Sequence, residues 1–165
     1  MAKEIEIKLQ EGDKAPDFSA ATQNGKRISL ADLKGRNVIL YFYPRDDTPG
    51  CTKEACAFRD HFGEFTKKGA VVLGVSTDSV SSHQKFVEKF KLPFTLLADD
   101  EKKIVQAYGA WGEKTFMGRK YQGTHRVTFL IDPDGRIKKI WPKVKPEEHA
   151  TEVLAALNDK NPNDK

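Results

Sequence analysis

The chain has 165 residues, of which 38% are hydrophobic and 32% are charged, a balance typical of a globular protein rather than a disordered or membrane-spanning one. No apolar run approaches the ~18 residues that a transmembrane helix needs, and the first residues lack the apolar core of a secretory signal. The net charge of +4 comes from 28 basic and 24 acidic residues that are interleaved, with no nucleic-acid-binding motif beside them, so we expect neither a nucleic-acid nor a membrane partner. We therefore expect a cytoplasmic protein, in a compartment where a structural disulfide is uncommon.

The first half of the chain alternates between predicted strands and helices. Residues 17–30 predict a small hairpin that turns at Asn24-Gly25. The continuous apolar run over residues 37–43 is typical of a strand buried on both faces. Residues 51–68 have the spacing of a helix, and residues 70–77 predict a second buried strand.

The second half continues this alternation. Its predicted elements, in order, are a helix capped by Asp78 or Ser79, a strand over 94–98, a helix capped by Asp99 or Asp100, a loop over 110–123, a hairpin of strands 126–131 and 136–141, and a helix over 146–157. This order predicts an α/β fold in which a central mixed sheet is flanked by helices, with an N-terminal β-hairpin extension. Because no repeat or linker interrupts the chain, we expect a single domain over residues 1–165, with a core of about 10–157 and a polar tail at 158–165.

The segment from Pro44 to Cys56 carries most of the chemical information. It follows a buried strand and opens a helix, so Cys51 is expected in or just before the first helical turn. The unpaired N–H groups and the positive dipole end at that place favour a thiolate. Peroxide chemistry needs such a nucleophile, a donor that orients the peroxide and a cation beside the departing oxygen. Thr48 lies one turn upstream, and Arg126 is the candidate cation because it opens an otherwise apolar strand.

The spacing of the two cysteines has a mechanical consequence. On one intact helix, residues five apart point ~140° apart, and their Cα atoms are about 8.6 Å from each other. A disulfide requires less than ~7 Å, so the helix must unwind before Cys51 and Cys56 can join. We therefore expect a cycle in which a sulfenic acid forms on Cys51, the first turns melt and Cys56 condenses with it. A thioredoxin-like dithiol would then reduce the disulfide.

Other interpretations of the same residues stay open at this point. Each cysteine taken alone is consistent with a small buried side chain. Together with His61 and His83 the cysteines raise the question of zinc, but their C-x4-C spacing is not that of a structural zinc site, so we expect no metal and no cofactor. A disulfide reductase would separate its cysteines by two residues rather than four. A redox-sensing or holdase module that uses cysteine oxidation as a switch is the alternative from another functional class.

Taken in order, these residues resemble the active-site segment of peroxiredoxins, most closely in the bacterioferritin comigratory protein (Q-type) group. The shared pattern is a proline, three residues, a threonine, two residues and a cysteine, and it falls on Pro44, Thr48 and Cys51. The resemblance covers roughly residues 10–157 and includes the segments 12–18, 41–56, 111–114 and 126–132.

The resemblance implies a thioredoxin-like fold and an antioxidant thiol peroxidase that reduces hydrogen peroxide and organic hydroperoxides. It implies a peroxidatic role for Cys51, a resolving role for Cys56, and a peroxide-orienting role for Thr48 and Arg126, with Pro44 shielding the pocket. It also implies regeneration by thioredoxin and a monomeric state with an intramolecular disulfide. Residues 1–10 and the polar tail lie outside the resemblance, and no role is assigned to them.

Overall fold

The computed structural model describes residues 7–158, so residues 1–6 and the predicted tail beyond Asn158 lie outside the described part. The strands are β1 (Ser19–Thr22), β2 (Arg27–Ser29), β3 (Asn37–Phe42), β4 (Ala70–Ser76), β5 (Thr95–Ala98), β6 (Trp111–Phe116), β7 (Arg119–Thr124), β8 (Val127–Ile131) and β9 (Ile137–Trp141). The helices are a 3-10 helix (Leu30–Leu33), α1 (Pro49–Asp60), α2 (Phe62–Lys67), α3 (Val80–Phe90), α4 (Lys103–Ala107) and α5 (His149–Leu157). Over the described range, no helix combines the length and the apolarity needed to cross a bilayer.

Seven strands form one sheet in the order β2-β1-β5-β4-β3-β8-β9. The pairs β3/β4 and β4/β5 are parallel, whereas the pairs β1/β2, β1/β5, β3/β8 and β8/β9 are antiparallel. The predicted mixed sheet is therefore confirmed, and the predicted N-terminal hairpin extends its edge because β1 pairs with β5. The strand that leads to Cys51, β3, lies inside the sheet between β4 and β8.

Alternate residues of β3 and the residue after it pack on opposite faces of the sheet, which explains the unbroken apolar run. Ile39, Tyr41 and Tyr43 join the core cluster that contains residues of α1, α2, α3 and α5. Val38, Leu40 and Phe42 join the cluster that contains residues of α4 and the 3-10 helix. Both faces of the sheet are thus covered by helices, as predicted.

The helix predicted over residues 51–68 is two helices in the structure. The first ends at Asp60, and the second begins at Phe62 after a break at His61, whose φ is −106° and ψ is 9°. The spacing of the buried phenylalanines continues across the break, since Phe58 and Phe65 belong to the same core cluster. A periodic apolar pattern therefore cannot reveal this break in the helix.

The prediction of a loop over residues 110–123 is wrong. The chain forms a two-stranded antiparallel sheet of its own there, in which β6 pairs with β7. The connection is Met117-Gly118, and both residues have positive φ, 51° and 79°. This is the geometry of a type I′ turn, which normally carries Asn-Gly or Asp-Gly, so Met-Gly gave no sequence signal.

Gly74 lies in β4, where a side chain has no room. A Cβ at this position would lie 2.7 Å from Leu96 Cδ2 and 2.8 Å from Tyr41 Cζ. We expect Gly74→Ala to lower the free energy of unfolding by about 1–3 kcal/mol, because two buried side chains must shift. Gly63→Ala in α2 is the matched control, since its Cβ would meet nothing within 4 Å, and helix propensity favours alanine. Urea unfolding measures both, and equal midpoints for the two variants would contradict the expectation.

Candidate active site

Cys51 is the third residue of α1, immediately after the loop that follows β3. Thr48 precedes the helix with extended backbone angles, φ −100° and ψ 156°, and Pro49 is the first helical residue. Proline suits this position because its missing N–H would have no partner within the helix. Cys51 is only 1% exposed, Cys56 is half-buried further along the same continuous helix, and both are free thiols.

The guanidinium of Arg126 bridges two side chains of α1. Its Nη2 donates to Cys51 Sγ at 3.4 Å, and its Nη1 donates to Glu54 Oε1 at 2.7 Å. Cys51 and Glu54 are three residues apart, so they lie on one face of the helix. Arg126 immediately precedes β8, the neighbour of β3 in the sheet, and its side chain is 19% exposed. The structure thus brings the predicted nucleophile and the predicted cation together at a helix N-terminus.

Glu54 is a member of the site that the sequence reasoning missed. Its side chain is fully buried, and burial raises its pKa to about 7 although the Arg126 charge opposes the change. Burial lowers the pKa of Arg126, but the charges of Glu54 and Cys51 more than offset this, so the net direction is upward. Arg126 therefore stays charged, and Glu54 is the partner whose charge depends on pH near neutrality. The sequence signal that could have identified Glu54 is its position three residues after Cys51, which places both side chains on one face of the helix.

Gly50 provides the space that the guanidinium occupies. A Cβ on Gly50 would lie 3.1 Å from Nη2 of Arg126, closer than most side-chain contacts. Arg126 must therefore approach the first turn of the helix closely, and a residue without a side chain allows this. It explains a glycine directly before Cys51 in a helical position, where glycine is otherwise unfavourable.

The other two predicted site residues lie in the loop before the helix. Pro44 is half-buried and stands two residues after the end of β3. The Thr48 hydroxyl donates to the backbone carbonyl of Arg45 at 2.9 Å. Since a hydroxyl has one proton, Thr48 in this conformation offers its oxygen as an acceptor rather than the donor that the sequence analysis expected.

A buried polar network anchors the same loop. Asp46 Oδ1 accepts from the Tyr43 hydroxyl at 2.6 Å, and Asp46 Oδ2 accepts from the Ser82 hydroxyl at 2.8 Å and contacts His83 Nδ1 at 2.7 Å. His83 Nε2 donates to the carbonyl of Leu97 at 2.8 Å. The loop is thereby tied to α3 and β5. From the sequence, His83 was considered only as a metal ligand, and Asp46 was not identified.

Further titratable groups surround Arg126. Lys114 donates to the carbonyl of Thr124 at 2.9 Å, and burial and Arg126 lower its pKa while Cys51 raises it. The pKa of His149 is lowered to about 4 by burial and by Arg126, so this core histidine is neutral near pH 7. Arg126 and Lys114 are thus the cations near the site, and His149 contributes no charge near pH 7.

Comparisons with known proteins identify the family of the chain. Residues 11–140 match the AhpC/TSA family. A Bcp-type peroxiredoxin of Coxiella burnetii is 52% identical over 151 residues, which cover 92% of this chain and 100% of that protein. The peroxiredoxin Bcp of Bacillus subtilis is 48% identical over 151 residues, covering 92% of this chain and 96% of the relative.

The solved structures give the same result. The bacterioferritin comigratory protein of Xanthomonas campestris, described by its alkyl peroxide reduction activity, superposes with a TM-score of 0.82 at 36% identity, covering 92% of this chain and 97% of that one. A PrxQ mutant of Xylella fastidiosa superposes with a TM-score of 0.86 at 35% identity, covering 90% and 95%.

The thioredoxin-like fold and the curated relatives place the chain among the thiol-based peroxidases, and its first helical turn carries a cysteine that accepts a hydrogen bond from a half-buried arginine. The chain belongs to the AhpC/TSA family of peroxiredoxins, with the Bcp and PrxQ proteins as its relatives. It is therefore an oxidoreductase, and the predicted family and fold are confirmed.

Proposed function

We propose that the chain reduces hydrogen peroxide and organic hydroperoxides through a sulfenic acid on Cys51, which Cys56 resolves as an intramolecular disulfide. The observation that carries the proposal is the hydrogen bond from Arg126 to Cys51 at the start of α1. The proposed reductant is thioredoxin, and the proposed setting is a single-domain, monomeric protein in the cytoplasm.

In the first step the Cys51 thiolate attacks one oxygen of the peroxide. The S–O bond forms as the O–O bond breaks, the sulfur is oxidised to a sulfenic acid, and the departing oxygen takes a proton to leave as water or an alcohol. Arg126 is already placed beside the sulfur, where its charge can stabilise the negative charge that moves onto the departing oxygen.

Thr48 and Pro44 have the supporting roles. With its proton donated to Arg45, the Thr48 oxygen is oriented to accept a hydrogen bond from the peroxide O–H. Pro44 has no N–H and is half-buried at the start of the loop, so it limits the access of water to the pocket without adding a competing donor.

Resolution requires that the first turns of α1 open. Hydrogen bonds to Cys51 Sγ and Glu54 Oε1 hold Arg126 against the helix in the reduced protein. Oxidation adds an oxygen to the sulfur that accepts from Arg126, and so alters the Cys51–Arg126 contact. Weakening this contact favours local unfolding. Cys56 then attacks Cys51, the disulfide forms and water leaves.

The test combines turnover with the separation of the two cysteines. Wild-type protein with thioredoxin, thioredoxin reductase and NADPH is expected to consume many equivalents of peroxide. Cys56→Ser is expected to form a sulfenic acid on Cys51 with one equivalent of peroxide, detectable with dimedone, and to stop there. Cys51→Ser is the blank for both assays. A wild-type protein limited to a single turnover would favour the redox-sensor alternative, and absence of the sulfenic acid in Cys56→Ser would reject the assignment of roles.

Hydrogen exchange tests the opening of the helix. We expect amides of residues 51–56 to exchange at least tenfold faster in the disulfide form than in the reduced form, since the two cysteines cannot join across an intact helix. Amides of β4 (Ala70–Ser76), in the middle of the sheet, serve as the internal reference. Unchanged protection of residues 51–56 would contradict the opening step.

A further inference from the structure

All of the large hydrophobic side chains that are strongly exposed within residues 7–158 lie on the β6–β7 hairpin. Phe116 is 66% exposed, Met117 is 88% exposed and Tyr121 is 46% exposed. Strands β6 and β7 pair with each other and form a two-stranded sheet separate from the seven-stranded one. A cluster of this kind on a folded protein is typical of a contact surface.

The register places the aromatic and cationic side chains on the same face. Phe116 is directly opposite Arg119, and Lys114 is directly opposite Tyr121. Directly opposed residues point to the same side of an antiparallel pair, and alternate residues share that side, so all four belong to one face. Lys120 is an exposed cation at the same end of the hairpin, on the opposite face because it pairs with Thr115. We call Phe116, Met117, Arg119, Lys120 and Tyr121 the hairpin tip.

The size and charge of the hairpin tip decide what it can contact. Its three apolar side chains expose on the order of 400 Å², whereas a stable protein interface buries about 800 Å² on each partner. Shallow insertion of aromatic side chains with flanking Lys and Arg is instead the pattern of proteins that rest on an anionic bilayer. Each cation near such a surface contributes about a fivefold gain in affinity.

We propose that, against the expectation from the sequence that the protein has no membrane partner, the hairpin tip docks on anionic lipid surfaces and brings the active site to hydroperoxides of membrane lipids. The reduction of membrane-lipid hydroperoxides rests on the proposed function, whereas the binding of the hairpin tip to lipid does not. The base of the hairpin adjoins the active site, because β7 ends at Thr124 and only His125 separates it from Arg126. The hairpin tip lies at the other end of the strands, about five residues or ~17 Å away.

Vesicle sedimentation tests the binding, using the full chain with Cys51→Ser so that catalysis plays no part. Vesicles of phosphatidylcholine with one third phosphatidylglycerol are compared with pure phosphatidylcholine, at about 0.1 M and about 1 M salt. We expect binding to the anionic vesicles alone, and weaker binding at high salt. Phe116→Ser with Met117→Ser, and separately Arg119→Glu with Lys120→Glu, should each lower the affinity at least tenfold. The control, Lys67→Glu with Lys85→Glu, makes the same charge change on exposed residues of α2 and α3. It should change the affinity for the anionic vesicles less than threefold.

A second assay uses the enzyme with both cysteines. The hairpin variants should reduce hydrogen peroxide in solution at the wild-type rate but should reduce phospholipid hydroperoxide in anionic vesicles at least fivefold more slowly. No vesicle binding by the wild-type protein, or equal binding by the hairpin variants, would overturn the proposal. Slower turnover by thioredoxin with unchanged vesicle binding would assign the tip to a protein partner instead. Failure of the proposed function appears separately, as loss of hydrogen peroxide reduction with vesicle binding intact.

Discussion

Replacing Arg126 with methionine is expected to slow the oxidation of Cys51 by hydrogen peroxide about 10²–10³-fold. Methionine keeps much of the apolar stem but removes the donor that lies 3.4 Å from the Cys51 sulfur. The loss has two parts, because the arginine favours the thiolate before the reaction and stabilises the departing oxygen during it. Stopped-flow measurement of the second-order rate constant, from the change in tryptophan fluorescence, gives the combined effect.

The two parts separate when the rate is measured across pH. Complete ionisation of an ordinary thiol, about 3% ionised at pH 7, gains only roughly thirtyfold, so ionisation alone cannot account for the larger loss. We expect the Arg126→Met protein to recover part of its deficit at alkaline pH and to remain at least tenfold slower than wild type there. Full recovery would limit Arg126 to ionising the thiol. No deficit at any pH would remove it from the mechanism.

Two further variants guard against a purely structural explanation. Arg59→Met removes another arginine of the α1 region, one that donates to the carbonyl of Phe90, and it should change the rate less than threefold. Arg126→Met with Glu54→Gln avoids leaving a buried carboxylate without its cation, which by itself is strongly destabilising. The double variant should fold more stably than Arg126→Met and still show the slow oxidation.

The fold could be predicted largely because its main signals are local. The run of β-branched and aromatic residues in β3, and the turn Asp132-Pro133-Asp134-Gly135 before β9, each specify their own conformation. The break at His61 and the hairpin turn at Met117-Gly118 could not be found in this way. The first depends on how α2 packs against the sheet, and the second uses a turn whose residues are atypical.

In the candidate site too, the residues with local sequence signals were identified and those that depend on tertiary contacts were missed. Cys51 was identified from its place after a strand and before a helix, and Arg126 from a charge that opens a buried strand. Glu54 and Asp46 were missed because an acidic residue on a helix or in a loop is usually exposed, and only tertiary contacts bury these two. The acceptor of the Thr48 hydroxyl proton is a backbone carbonyl, and the order of residues does not reveal this contact.

Glu54→Gln is expected to remove a large part of the pH dependence of stability. The pKa of Glu54 in the folded protein, about 7, lies above its ordinary value of 4.5 because burial penalises the charged form. Between these two values the folded protein binds the proton more tightly than the unfolded chain. The contribution of Glu54 to stability is therefore greatest at acidic pH, falls as the pH rises toward 7 and changes little above it.

The size of the effect follows from the pKa difference. The difference of 7 − 4.5 = 2.5 corresponds to about 3 kcal/mol of unfolding free energy between pH 4.5 and 8.5. Urea unfolding at intervals over this range should show wild type losing about this much relative to Glu54→Gln. Glu88→Gln on the exposed side of α3 is the matched control, and its free energy of unfolding should follow that of wild type across this pH range. Parallel curves for Glu54→Gln as well would mean that the carboxyl does not titrate in this range.

The oxidation rate of the Glu54→Gln protein then shows whether the negative charge of Glu54 is needed or only its hydrogen bond to Arg126. Glutamine keeps an oxygen that can accept from Arg126 Nη1, so the guanidinium should stay beside Cys51. We expect the oxidation rate at pH 8 to remain within about tenfold of wild type, a smaller loss than that of Arg126→Met, because the group that touches the reacting sulfur is retained. A loss as large as that of Arg126→Met would mean that the negative charge of Glu54 is itself needed to hold the arginine. Glu54 would then be the residue through which pH controls both the stability of the N-terminal turn of α1 and the reactivity of the cysteine within it.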